Sequence, residues 1–160
     1  MPSPLIAVAG DAQALLSWSA AMNATGYNLK RGNSSSGPFT FVVTNIGGLA
    51  FTNTGLVNGA LYYYVVSGTN YFGESTNSNP VSVRAVSQTQ PALNFALAGS
   101  QMQFNWLTDH LGWKLQAQTN SPALGLGTNW FTVLGSGATN AIPQTINPTN
   151  GNVFFRLVYP

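Results

Sequence analysis

The strongest constraint in this sequence is a two-residue period. Apolar residues alternate with polar ones in short runs, each closed by a cluster of Gly, Asn, Ser or Pro: LIAVA (5–9), ALLSW (14–18), GYNLKR (26–31), FTFVVT (39–44), AFTNT (50–54), LYYYVVSG (61–68) and PVSVRA (80–85). Alternation places successive side chains on opposite faces of a strand, one face for a core and one for solvent. No segment carries apolar residues at i, i+3, i+4 and i+7 for three turns. Helices are therefore not expected, and strands at this spacing predict an antiparallel sandwich.

The order of features within these runs is specific. LLSW sets Leu16 and Trp18 on one face of the second strand, and GYNLKR sets Tyr27 and Leu29 inward on the third. GLVNGALYYYVVSGTNYFGES then supplies Leu56, Gly59 for a turn, and Tyr62, with Asn70 to Ser75 forming the loop before the last strand. On these residues the segment 1–86 resembles a fibronectin type III domain. The resemblance implies that Tyr62 forms a corner, its hydroxyl bonded back to the backbone.

The second half repeats the first. QFNW…GWKLQA echoes LLSW…GYNLKR, matching Trp18 with Trp106, Tyr27 with Trp113 and Leu29 with Leu115; WFTVL (130–134) echoes FTFVV (39–43), and NGNVFFRLV (150–158) echoes NGALYYYVV (58–66). A repeat of roughly 90 residues means two copies of one module. The expected organisation is a first domain at 1–86, a short linker at 87–91 that leaves the modules semi-rigid and end to end, and a second domain at 92–160. The expected fold class is all-β: two tandem antiparallel β-sandwiches of fibronectin type III or immunoglobulin-like kind, the second lacking its last strand. Nothing after FFRLVYP corresponds to PVSVRA, so residues 153–158 are expected at a sheet edge, with Arg156 as the charge that blunts it. The pieces GWKLQAQTN, GLGTNWFTV and FFRLVYP also resemble a C-terminal module of large secreted bacterial proteins, including polysaccharide-degrading ones.

Charge narrows the function. Five Lys and Arg, three Asp and Glu and one His in 160 residues give a net charge of +2, and the one basic pair, Lys30-Arg31, cannot neutralise a row of phosphates, so nucleic acid is not an expected partner. The absence of cysteine removes disulfides and thiolate metal sites. No run approaches the ~18–20 apolar residues of a membrane helix, and no membrane insertion is expected. MPSPLIAVAG lacks the basic start and long apolar stretch of a signal peptide. An extracellular or cell-surface protein is expected, this chain being part of a longer secreted precursor. NAT (23–25) and NSS (33–35) are formal glycosylation sequons, relevant only in a eukaryotic secretory route.

The sole histidine, His110, stands beside Asp109 and between Trp106 and Trp113. A general acid–base pair needs a second titrating partner with a displaced pKa, and zinc needs three or four ligands. The pair therefore reads as a solvated loop between strands. No G-x-S-x-G elbow is present, and ALGLGTNW precedes a strand, so it is a turn and not a phosphate cradle. No catalytic residue, metal ligand or cofactor site is expected.

Aromatic side chains remain. Tyr71 and Phe72 sit at a loop tip beside Asn70; Tyr63 and Phe155 are expected to face outward; Trp130 is either half-buried core or an exposed platform. Tyr71, Phe72, Tyr63 and Trp130, with Asn70, are the candidate ligand contacts, and coplanar exposed rings about one sugar repeat apart would favour a carbohydrate. A non-catalytic accessory segment acting as spacer and interaction module, with polysaccharide or neighbouring domains of a larger parent as partners, is the first functional expectation, and a carbohydrate-binding module is the second. The third is self-association by β-strand addition at the open edge, through Val153, Phe155, Leu157 and Tyr159.

Overall fold

The computed structural model of the chain describes residues 1–121 and 123–160. It divides into two compact units, Met1–Ala85 and Val86–Pro160, and each is an antiparallel β-sandwich. In the first unit the strands are β1 (Leu5–Gly10), β2 (Gln13–Trp18), β3 (Gly26–Gly32), β4 (Thr40–Ile46), β5 (Ala50–Thr54), β6 (Leu61–Asn70), the two-residue β7 (Gly73–Glu74) and β8 (Val81–Arg84). One sheet has the order β1-β2-β5, the other β4-β3-β6-β7, with β8 also paired to β6. The alternation read from the sequence fills the space between them: Leu16, Trp18, Tyr27, Leu29, Tyr64, Val66, Val83 and Ala85 are all buried in one cluster. Trp18 packs on Tyr27 at 5.7 Å between ring centroids. The Val57 amide donates to the Tyr62 hydroxyl at 3.0 Å, which is the tyrosine corner that the resemblance implies.

The second unit contains β9 (Asn94–Ala98), β10 (Gln101–Asn105), β11 (Lys114–Asn120), β12 (Phe131–Thr132), β13 (Ala141–Thr145) and β14 (Asn152–Val158), with single 3-10 turns at Thr108–His110 and Ser136–Ala138. Its sheets are β13-β10-β9 and β12-β11-β14. Phe104, Trp106, Leu115, Ala117 and Val133 form its buried core. Trp18 and Trp106 occupy matching places, and the indole N–H of each is buried with no partner among the described residues. That position is held by apolar bulk and not by a hydrogen bond.

Strand register corrects one expectation. Leu29 faces Val66 and Leu16 faces Phe51 in the first unit; Leu115 faces Leu157 and Phe104 faces Ile142 in the second. Both pairings make Phe155 the counterpart of Tyr64, and Val153 that of Tyr62. Aligning NGALYYYVV with NGNVFFRLV by their shared Asn-Gly is off by one residue, and a one-residue slip reverses every side chain on a strand. Phe155 therefore faces inward, half-buried against the core, with its ring 4.4 Å from that of Phe104.

Candidate functional site

The Asp109–His110 pair is not a solvated loop. His110 is 3% exposed; its Nε2 lies 2.8 Å from the Thr89 carbonyl and its Nδ1 2.5 Å from the Asp109 carboxylate. Next to it the Trp113 indole donates to the Ser87 carbonyl at 2.8 Å, and the Ser87 amide donates to the Asp109 carbonyl at 3.2 Å. Gly112 makes the tight turn between His110 and Trp113 with φ +114, where an added Cβ would also press on Val86 at 3.1 Å. Residues 87–89, within the stretch read as a linker, are thus fastened onto the second unit. The histidine's ring nitrogens are engaged by that anchoring. Its crowding with two tryptophans in the sequence reflects packing that sequence reasoning missed. Among the described residues no group of three His, Cys, Asp or Glu side chains is placed to hold a metal ion, and no helix is long and apolar enough to cross a membrane.

The candidate aromatics separate into different environments. Tyr71 and Phe72 form the two-residue tip between β6 and β7, where Asn70 pairs with Gly73. They are 96% and 93% exposed, and the Asn70 side chain holds the tip by accepting from the Phe72 amide at 2.9 Å. Their rings meet edge to face at 85°, 5.5 Å apart, so the pair offers no flat platform. Tyr63 is half-buried on the other face of β6 from Tyr62 and Tyr64, opposite Ser82 of β8. Trp130 is half-buried, and the Arg156 guanidinium covers it at 4.1 Å from the ring centroid. The same guanidinium donates to Gln116 at 2.9 Å, so Arg156 is spent on a cation–π stack across the sheet.

Among the described strands β14 pairs with β11 alone, whereas its counterpart β6 has β3 on one side and β7 and β8 on the other. In the first unit β8 lies between β6 and β1. In the second, a groove of about 480 Å³ runs between residues 90–93 and Phe155–Leu157. Val153, Phe155 and Leu157 direct their side chains to the interior of the sandwich, and Tyr159 packs edge-on to Trp113 at 5.6 Å. What the edge presents is backbone more than side chain.

A cavity that sequence reasoning did not find lies at one end of the second sandwich. About 370 Å³ in volume, it opens between the two sheets and under the connection from β13 to β14. Phe131 and Phe155 stand on either side of Ala117 in a single cross-strand row. Thr119, facing Val153, forms the next rung. The register explains the space. In the first unit the corresponding residues are Arg31, Tyr62 and Leu56: the Arg31 guanidinium stacks on Tyr62 at 5.0 Å and donates to Asn53 at 3.2 Å, while Leu56 is buried. The second unit has Ala117, Val153 and Asn147 in those places. Three large plugs are replaced by two small side chains and a polar one. The signal was present in the sequence, but the one-residue misalignment concealed it.

No protein-family model matches the chain. It is 31% identical over 103 residues to an amylopullulanase of Thermoanaerobacterium saccharolyticum and 32% identical over 108 residues to an amylopullulanase of Thermoanaerobacter thermohydrosulfuricus. Those matches take in 64% and 65% of this chain but only 8% and 7% of the two relatives. Among solved structures, an Fn3-like protein from Clostridium thermocellum is 38% identical, with a TM-score of 0.51, over 55% of this chain and 94% of that one. The chain belongs to the fibronectin type III family. Within a fibronectin type III sandwich the distinctive features are those the second unit does not share with the first: an open edge at β14 and a cavity where the first unit is plugged. Fold alone assigns no task, so these departures are where function has to be sought.

Proposed function

We propose that the chain is a non-catalytic accessory segment of a secreted, polysaccharide-degrading bacterial protein, serving as spacer and interaction module. The observation that carries this reading is the likeness to short segments, under a tenth, of two much longer amylopullulanases. The scarcity of titratable groups, eight charged residues and one histidine in 160, agrees with an extracellular role in uncontrolled surroundings. The test is to delete the matching segment of about 103 residues from the Thermoanaerobacterium saccharolyticum enzyme. Turnover of a short soluble oligosaccharide should be unchanged while turnover of polymeric substrate falls. Equal loss on both would contradict an accessory role.

The open edge of β14 favours a second reading, self-association. We propose a second copy as the occupant, its β14 lying antiparallel along the first about a two-fold axis so that two three-stranded sheets join. The strand is apolar and carries Arg156 as its one charge, which is turned onto Trp130, so little repels a partner. Sedimentation equilibrium should show a dimer that Phe154→Lys, on the outer face of β14, disperses. A monomer at all attainable concentrations would contradict it.

A further inference from the structure

We infer that the cavity at the end of the second sandwich is a binding site for a neutral saccharide. Its volume of about 370 Å³ falls within the ~300–1,000 Å³ of small-molecule sites. Three properties of its wall set the ligand class. First, no charged side chain among the described residues lines it, so an ionic ligand has no counter-charge and would have to be desolvated without compensation. Second, Phe131, which is 55% exposed, and Phe155 flank Ala117 in one row, forming a trough with apolar walls and a small residue at its floor. Such a trough takes the C–H faces of a pyranose ring by apolar contact. Third, Thr119, Gln144 and Asn150 line the cavity; Gln144 lies on the core face of β13 with Ile142, and the side chains of Thr119 and Asn150 bond to no other described residue. A hydroxyl and two carboxamides supply both donors and acceptors, which is the match a ring of hydroxyl groups requires.

The comparison within the chain strengthens the assignment. One copy of the module has this space stoppered by Arg31, Tyr62 and Leu56, so an open end is not a necessity of the fold. The ligand class rests on the accessory reading above, but the existence of the cavity does not. Where Tyr71 and Phe72 expose two rings that cannot both lie against one sugar, the cavity supplies convergent walls.

The experiment is a nitrogen–proton NMR titration of the intact chain with maltohexaose, cellohexaose, xylohexaose and laminarihexaose. One of these should shift the amides of Thr119, Gln144 and Asn150 together in a saturable manner. Phe131→Ala, at an exposed site, should weaken that binding roughly tenfold with the rest of the spectrum unchanged. Val153→Tyr, which restores the first unit's stopper, should abolish it. If Val153→Tyr misfolds, Thr119→Val provides the same test by removing a hydroxyl of matching shape. Shifts confined to Tyr71 and Phe72, or binding that survives both Phe131→Ala and closure of the cavity, would overturn the site. So would the absence of any shift at millimolar saccharide. None of these results touches the accessory reading, which the deletion test addresses separately.

Discussion

Tyr62 and Glu74 show how a few polar side chains set the first unit's geometry. The Tyr62 hydroxyl accepts from the Val57 amide, and its ring carries the Arg31 guanidinium. Tyr62→Phe keeps the ring and removes only the acceptor, so it should cost about 1 kcal/mol in denaturant unfolding of the first unit. A change near zero would mean that Val57 finds water instead. Glu74 is bound by the Lys30 ammonium at 2.5 Å and next by the Ser67 hydroxyl. Those bonds hold its carboxyl below the ordinary glutamate value of 4.5. A lowered pKa means that the unfolded chain takes up the proton first. The pair's stabilisation is therefore complete above pH 4.5 and is lost as the pH falls through the folded value. The melting temperature of the native protein should drop more steeply with acid than that of Lys30→Met. Parallel curves would contradict the pairing.

At the scale of strands, the first unit was almost wholly legible. The alternating runs at 14–18, 26–31 and 50–54 match β2, β3 and β5 to within a residue, because burial on one face leaves a two-residue signature that sequence retains. β7 was missed, since two residues carry no period. The second unit was legible only to the level of its repeat. Its β12 is two residues long, its 125–129 loop is held by the buried Gln118, which donates to Asn129 at 2.6 Å and accepts from the Gly127 amide at 2.9 Å, and neither fact leaves a pattern in sequence. The matching Asn-Gly pairs suggested a register that hydrogen-bonded pairing overrules, and with it went the direction of Phe155 and the cavity. The parity is directly testable. Phe155→Ala removes a ring packed on Phe104 and should cost about 3 kcal/mol, and Phe154→Ala, on the opposite face, should cost clearly less. The reverse order in thermal or urea unfolding would restore the sequence-based register.

Taken as a molecule, the chain holds two versions of one sandwich, one closed by a paired β8, a tyrosine corner and a buried leucine, the other with an edge at β14 that no described strand covers and an unfilled end. Few of its groups carry charge, so contacts made by either unit should depend weakly on salt. That separates this account from any reading based on basic or acidic patches. The proposed function and site together have the chain contact polysaccharide without cutting it. The direct test is to incubate the purified chain with amylose, pullulan, xylan and mixed-linkage glucan, and to measure gel retardation and release of reducing ends on the same samples. The expected result is retardation by at least one neutral polysaccharide, insensitive to salt, with no reducing ends released. Release of reducing ends by the chain alone would contradict the non-catalytic role, and free passage through all four would contradict contact with polysaccharide.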